Sequence, residues 1–217
     1  MIDARHYAVH EALRDGTPMT IRAARPDDRE RIARAFGGLD RESVYTRFFA
    51  YKDELGPADF ARLDAMDFVR HAMLVATIGP PGDETVIAGA SYSTHVGADG
   101  TPSAEIAFMV EEDYRGNSLA GRLLAHLSAI ARDRGIARFE ADVLAENKAM
   151  LVVFERSGLP MRKSRDGGVL QVRNASFGQR FIDLTFGRLQ RQRQQPAHVE
   201  RHIRGERKAL RHIADAQ

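Results

Sequence analysis

The 217-residue chain contains no cysteine and no tryptophan. Lack of cysteine rules out disulfides, cysteine-ligated zinc and any thiol nucleophile. No apolar run reaches the roughly 18 residues of a membrane-spanning helix. The N-terminus shows no secretory or lipidation signal, so a cytoplasmic chain with no membrane partner is expected. No GxxxxGK[ST] string occurs, which removes a nucleoside-triphosphate loop. No HExxH or similar ligand spacing occurs either, so no metal is expected. After Phe186 there is no aromatic residue. The C-terminal segment therefore lacks stacking groups for single-stranded nucleic acid, and nucleic acid is not an expected partner.

What is present is a core-forming body and a basic end. Apolar residues make up 43% of the chain, enough for one domain with appendages. The formal net charge of +2 hides an asymmetry: Gly187–Gln217 carries eight Lys/Arg against three Asp/Glu, so the rest is slightly acidic. The expected organisation is an N-terminal preamble over 1–18, a folded domain over 19–186 and a basic arm, helical or disordered, over 187–217.

The most informative stretch is Ser103–Leu127. Ala104, Ile106, Phe108 and Val110 alternate with Glu105, Ala107 and Met109, which predicts a strand. A polar turn, Glu111–Arg115, leads through Arg115-Gly116-Asn117-Ser118-Leu119-Ala120-Gly121 into a helical pattern. Leu119, Leu123, Leu124, Leu127, Ile130 and Ala131 share one face of that helix. Strand, small-residue loop and helix N-terminus together make an anion site. The first helical turn leaves backbone N–H groups unpaired, the macrodipole adds positive potential, and small residues admit a phosphate. Arg115 supplies a charge.

The string Arg115-Gly116-Asn117-Ser118-Leu119-Ala120 resembles the [Q/R]xxGx[G/A] loop of the GNAT superfamily of acyl-CoA-dependent N-acyltransferases, with Ser118 where glycine is usual. A second segment, Asn147 to Gly158-Leu159, is similar to that family's Asn-x-x-A-x-x-L-Tyr-x-x-x-Gly-Phe motif. Leu13–Asp28 and Ser43-Val-Tyr-Thr-Arg47-Phe48-Phe49 look like the bacterial protein-lysine branch. The resemblance implies an α/β fold, with a mixed central sheet of six to seven strands flanked by about four helices.

The residue patterns agree with that topology. A short helix ending at Gly16 is expected from Tyr7, Val9 and Leu13. A strand from Met19 follows, then a helix opened by Pro26, a second capped by Asp40 and a third over 57–66. Strands over 73–78, 85–96 and 103–110 form a meander. The 119–134 helix then crosses to a strand over 138–144, expected to lie parallel to the Glu105 strand. A helix from Lys148 to Ser157 and a final hairpin complete the order.

An amine acceptor arrives as an ammonium, with a pKa of about 10.4 for lysine, and must lose a proton before it attacks a thioester. Glu105 is the candidate base, on a face expected to be covered because Ala107 and Met109 are apolar. The resemblance implies that a backbone N–H around Phe108, Met109 and Val110 polarises the thioester. It also implies that Arg115, Gly116, Asn117, Ser118, Leu119, Ala120 and Gly121 hold the pyrophosphate of acetyl-CoA. Asn147 is expected on the pantetheine arm or as a helix cap, and Tyr45 and Arg47 on the acceptor side. Phe154 stands where many members carry a tyrosine acid. His126 is expected to face solvent. The resulting expectation is direct acetyl transfer from acetyl-CoA to an amine, most simply a lysine of a protein partner. A small-molecule amine acceptor and a non-catalytic acyl-CoA-binding module are the alternatives.

Overall fold

The computed structural model describes residues 1–48, 52–166 and 169–174, without the side chains of 46–48, 165, 166 and 174. The expected basic arm over 187–217 lies outside the described residues, as does Phe49.

Eight strands form one sheet in the order β1-β2-β3-β4-β5-β6-β8-β7. The strands are β1 (Ala8–Ala12), β2 (Pro18–Ala23), β3 (His71–Ile78), β4 (Thr85–Val96), β5 (Pro102–Val110), β6 (Arg138–Leu144), β7 (Met161–Asp166) and β8 (Val169–Asn174). Neighbours run antiparallel except β5 and β6, which are parallel as expected of a strand–helix–strand unit. Five helices accompany them: α1 (Arg29–Gly37), α2 (Arg41–Phe48), α3 (Pro57–Asp64), α4 (Leu119–Asp133) and α5 (Lys148–Arg156). The class and order are those expected, with one more strand and one more helix than the upper counts.

The extra strand is β1, where a short helix was expected. Its alternation of half-buried Val9 and Glu11 with exposed Ala8, His10 and Ala12 has a period of two. The Asp15-Gly16 turn then returns the chain antiparallel into β2, with Gly16 at φ +91°. Tertiary pairing along β2 decided between two weak local readings.

The sheet is covered on both faces. Leu119, Leu123, Leu124, Leu127 and Ile130 of α4 are buried against Leu74, Ala88, Tyr92, Ala104 and Ile106. Each such leucine contributes about 1.5–3 kcal/mol. On the other face, Ile32 and Ala35 of α1 and Leu63 of α3 pack on Val75 and Val86. The start of α1 is set by a buried ion pair: Arg22 of β2 donates to both Asp28 oxygens at 2.6 and 2.7 Å. Asp28 also accepts the Arg25 N–H at 2.9 Å, which turns the chain after Pro26 into α1.

Candidate active site

β5 and β6 pair over only three rungs, Ser103↔Arg138, Ala104↔Phe139 and Glu105↔Glu140. Beyond the last rung they part, although β5 stays paired with β4 up to Val110. The Glu111 N–H donates to Ile87 of β4 at 3.0 Å, and the Pro102 carbonyl accepts from Ala137 at 2.9 Å beside β6. Backbone groups alternate sides along a strand, so the even positions of β5 face β6. The N–H groups of Phe108 and Val110 therefore point into the gap, whereas that of Met109 is directed to β4. Of the three expected polarising positions, two direct their N–H groups toward the gap.

The odd-numbered side chains face α1 and α3. There a cavity of about 550 Å³ is lined by Phe36, Phe60, Met66, Met73, Ala107 and Met109, with Glu105 at its rim. Glu105 also borders a second hollow of about 360 Å³, floored by β6 and β8. The expectation of a covered face holds for Ala107 and Met109, which are half-buried. It fails for Glu105, which is exposed.

The neighbouring carboxylates differ in company. Glu140 is held by Arg138 Nε at 2.9 Å, Arg173 Nε at 3.6 Å and His95 Nε2 at 3.2 Å. Glu105 has no such ion pair among the described residues. Arg138 also chelates Asp99 at 2.8 and 3.1 Å, and these bonds hold the Asp99 carboxyl well below the usual range.

The loop before α4 turns through two residues of positive φ. Gly116 sits at φ +78° and Ser118, the N-cap of α4, at φ 61°, ψ 22°. Ser118 thus adopts the left-handed geometry for which glycine is the usual residue. Leu119 is buried under α4, and a Cβ built at Gly121 would meet nothing within 4 Å. An open cradle of N–H groups beside a strand gap fits the pyrophosphate and thioester of an acyl-CoA.

Arg115 does not point freely into that cradle. Its guanidinium donates to Glu112 Oε1 at 3.0 Å and to the Ser43 hydroxyl, and lies 3.9 Å from Asp40. Ser43 in turn donates to Glu112 at 2.8 Å, so this cluster fastens the loop to the start of α2. Glu112 is therefore a tie to α2 and not a solvated turn residue. Burial, with Asp113 and Glu112 beside it, raises the carboxyl of Glu111. Tyr45 is half-buried on α2; the side chain of Arg47 lies outside the described residues.

Asn147 caps α5, its Oδ1 accepting from the Met150 N–H at 3.0 Å. Phe154 is fully buried, with its ring edge-on to Phe108 at 6.1 Å. His126 corrects an expectation: it is 1% exposed, because β1 covers that side of α4. Its Nδ1 lies 2.6 Å from the Tyr7 hydroxyl and its Nε2 3.0 Å from Glu11. Glu11 also accepts from Arg122 at 3.1 Å.

Sequence reasoning missed Arg14, in the β1–β2 turn. Its N–H donates to Asn117 Oδ1 at 3.2 Å and its guanidinium to Ser118 Oγ at 3.3 Å. The Asp15-Gly16 hairpin signal was the available clue. Among the described residues no group of three His, Cys, Asp or Glu is placed to hold a metal, and no helix is long and apolar enough to cross a membrane.

Comparison with known proteins agrees with this geometry. The family model described as Acetyltransferase (GNAT) family matches residues 41–159, more than half of the chain. The curated protein "Acetyltransferase Pat" of Mycolicibacterium smegmatis is 32% identical over 146 residues, covering 67% of this chain and 42% of that relative. The chain thus spans less than half the length of that protein. "Acetyltransferase PA5475" of Pseudomonas aeruginosa is 29% identical over 149 residues, covering 69% of this chain and 77% of the relative. Among solved structures, the GNAT domain of S. lividans PAT superposes with a TM-score of 0.69 at 37% identity, covering 76% of this chain and 95% of that one.

Proposed function

This chain belongs to the acetyltransferase (GNAT) family, and from that premise we propose that it transfers the acetyl group of acetyl-CoA directly to a lysine amine of a protein. The observation that carries the reading is that Glu105, which has no ion pair among the described residues, lies beside the strand gap. At the same rung Glu140 is paired with Arg138 and Arg173 and lies 3.2 Å from His95 Nε2, so its oxygens are already engaged. Glu105 is left to accept a proton from an incoming ammonium, directly or through a water.

Acetyl-CoA supplies the activated acyl group. The Phe108 and Val110 N–H groups, aimed into the gap, stabilise the negative charge that develops on the thioester oxygen. Glu105 passes the ammonium proton on to solvent; the new C–N bond then forms as the C–S bond breaks, the regenerated carboxylate takes the remaining amine proton, and CoA leaves as a thiolate that is protonated from solvent. With Phe154 sealed in the core, no phenol at that position protonates the thiolate. A thiol of pKa about 8.5 is a good enough leaving group near neutral pH. The backbone of Gly116–Gly121 holds the pyrophosphate, with Arg115 bracing the loop against α2, and Asn147, which caps α5, serves the pantetheine arm. Tyr45 and Arg47, on α2, border the acceptor side. The protein acceptor rests on the resemblance of Leu13–Asp28 and Ser43–Phe49 to the bacterial protein-lysine branch.

A small amine acceptor is the second reading, favoured by the 550 Å³ cavity that Glu105 and Asp59 line together with apolar side chains. Incubation with acetyl-CoA and a cell extract split by size separates the two. CoA release with acetyl-lysine in the macromolecular fraction supports the first; release only with the small-molecule fraction supports the second. Glu105→Gln is expected to lower kcat by about 10²–10⁴-fold. Turnover equal to wild type between pH 6 and 8 would remove Glu105 as base.

A further inference from the structure

We infer that Arg14, delivered by the β1–β2 turn, is the cation that contacts the CoA pyrophosphate at the Arg115–Gly121 loop, while Arg115 serves to tie that loop to α2. The assignment rests on the reading of that loop as the pyrophosphate cradle.

Three arginines approach the loop, and their partners separate them. Arg115 is compensated by Glu112 and Asp40 and hydrogen-bonded to Ser43. Arg122, one turn into α4, is taken by Glu11 at 3.1 Å and by the Ala12 carbonyl at 2.6 Å. Arg14 is exposed and has no carboxylate partner among the described residues. Its guanidinium rests on Ser118 Oγ, at the N-cap of α4, where the unpaired N–H groups of the first turn emerge. An anion seated on those N–H groups would lie within reach of the same guanidinium, whose planar fork suits two phosphate oxygens.

The turn is also held in place from both sides. The Arg14 N–H is bonded to Asn117, whose amide nitrogen donates to the Tyr114 carbonyl at 3.1 Å. Upstream, Glu11 anchors β1 to α4 through His126 and Arg122. The backbone of the turn is thus set before binding, so only the Arg14 side chain has to be ordered when the anion arrives.

The test is equilibrium binding of CoA and of dephospho-CoA, by calorimetry, to wild type, Arg14→Ala and Arg14→Lys. Arg14→Ala is expected to weaken both ligands about tenfold, with Arg14→Lys recovering part of the loss and with a shallower salt dependence in the alanine variant. CoA affinity within twofold of wild type in a folded Arg14→Ala protein would overturn the assignment. A loss seen with CoA but not with dephospho-CoA would also overturn it, by moving the contact to the 3′-phosphate. If Arg14→Ala lowered the thermal midpoint and Arg14→Lys restored stability but not affinity, the residue would be structural and the inference would fail. Wild-type protein that bound neither ligand would instead remove the reading of the loop itself.

Discussion

Replacing Asp28 by asparagine tests how the cavity wall formed by α1 is built. Asp28 is fully buried and Arg22 is 3% exposed. The carboxylate takes two Arg22 bonds at 2.6 and 2.7 Å and the Arg25 N–H at 2.9 Å, with Arg31 at 3.4 Å. Asparagine keeps one acceptor oxygen but leaves the buried guanidinium without a counter-charge. Removing one member of such a pair costs about 3–5 kcal/mol, against a total stability of about 5–15 kcal/mol. At roughly 2–4 °C per kcal/mol, the thermal midpoint should fall by about 6–20 °C. Because the pair sets the start of α1, the loss should also loosen Ile32 and Phe36, which line the cavity. The pH dependence carries a sign. Burial pushes the Asp28 carboxyl up, but the Arg22 and Arg25 hydrogen bonds and the charges of Arg22 and Arg31 outweigh it, so the folded value lies below the ordinary one. The stabilisation is then complete above the unfolded pKa near 3.9 and is lost as pH falls toward the folded value. Urea unfolding followed by far-ultraviolet circular dichroism, from pH 7 to pH 3, measures both effects. A cost below about 1 kcal/mol at pH 7 would refute the reasoning, and so would a wild-type advantage that does not shrink in acid.

Two further substitutions probe the site. Ser118→Gly should be tolerated, whereas Ser118→Val, with a β-branched side chain at φ 61°, should cost about 1–2 kcal/mol; equal thermal midpoints for the two would mean the left-handed turn is dispensable. Glu11→Gln should destabilise by about 1–3 kcal/mol at pH 7, since it weakens the partners of buried His126 and of Arg122. Burial raises the Glu11 carboxyl, but the His126 hydrogen bond and charge, with Arg122, bring it below its ordinary value. The difference between wild type and Glu11→Gln should therefore be present at neutral pH and fade in acid, and a difference that grows in acid would contradict the network.

Local chemistry determined most of the elements. The 3.6-residue stripe from Leu119 to Ala131, the alternation along β5, the Asp40 cap and the Gly158 stop all act over a few residues, and their places in the structure match. The likeness of Arg115–Ala120 to a phosphate loop was legible too, because the need for a left-handed residue is local; the structure puts Ser118 in that conformation. Long-range packing decided the rest. Whether Tyr7–Leu13 is helix or strand depends on the free edge of β2. Burial of His126 depends on β1 lying across α4 and bringing Glu11 and Tyr7, more than 110 residues away, to its ring. The exposure of Glu105 is decided by how the helices cover the sheet, and among the described residues Arg138 and Arg173 pair with Glu140 and not with it. The strand gap is a property of two strands and has no signature in either one. Charges 100 residues apart meet only when the chain folds, so the sequence names the arginines and the tertiary structure determines which of them has its charge to spare.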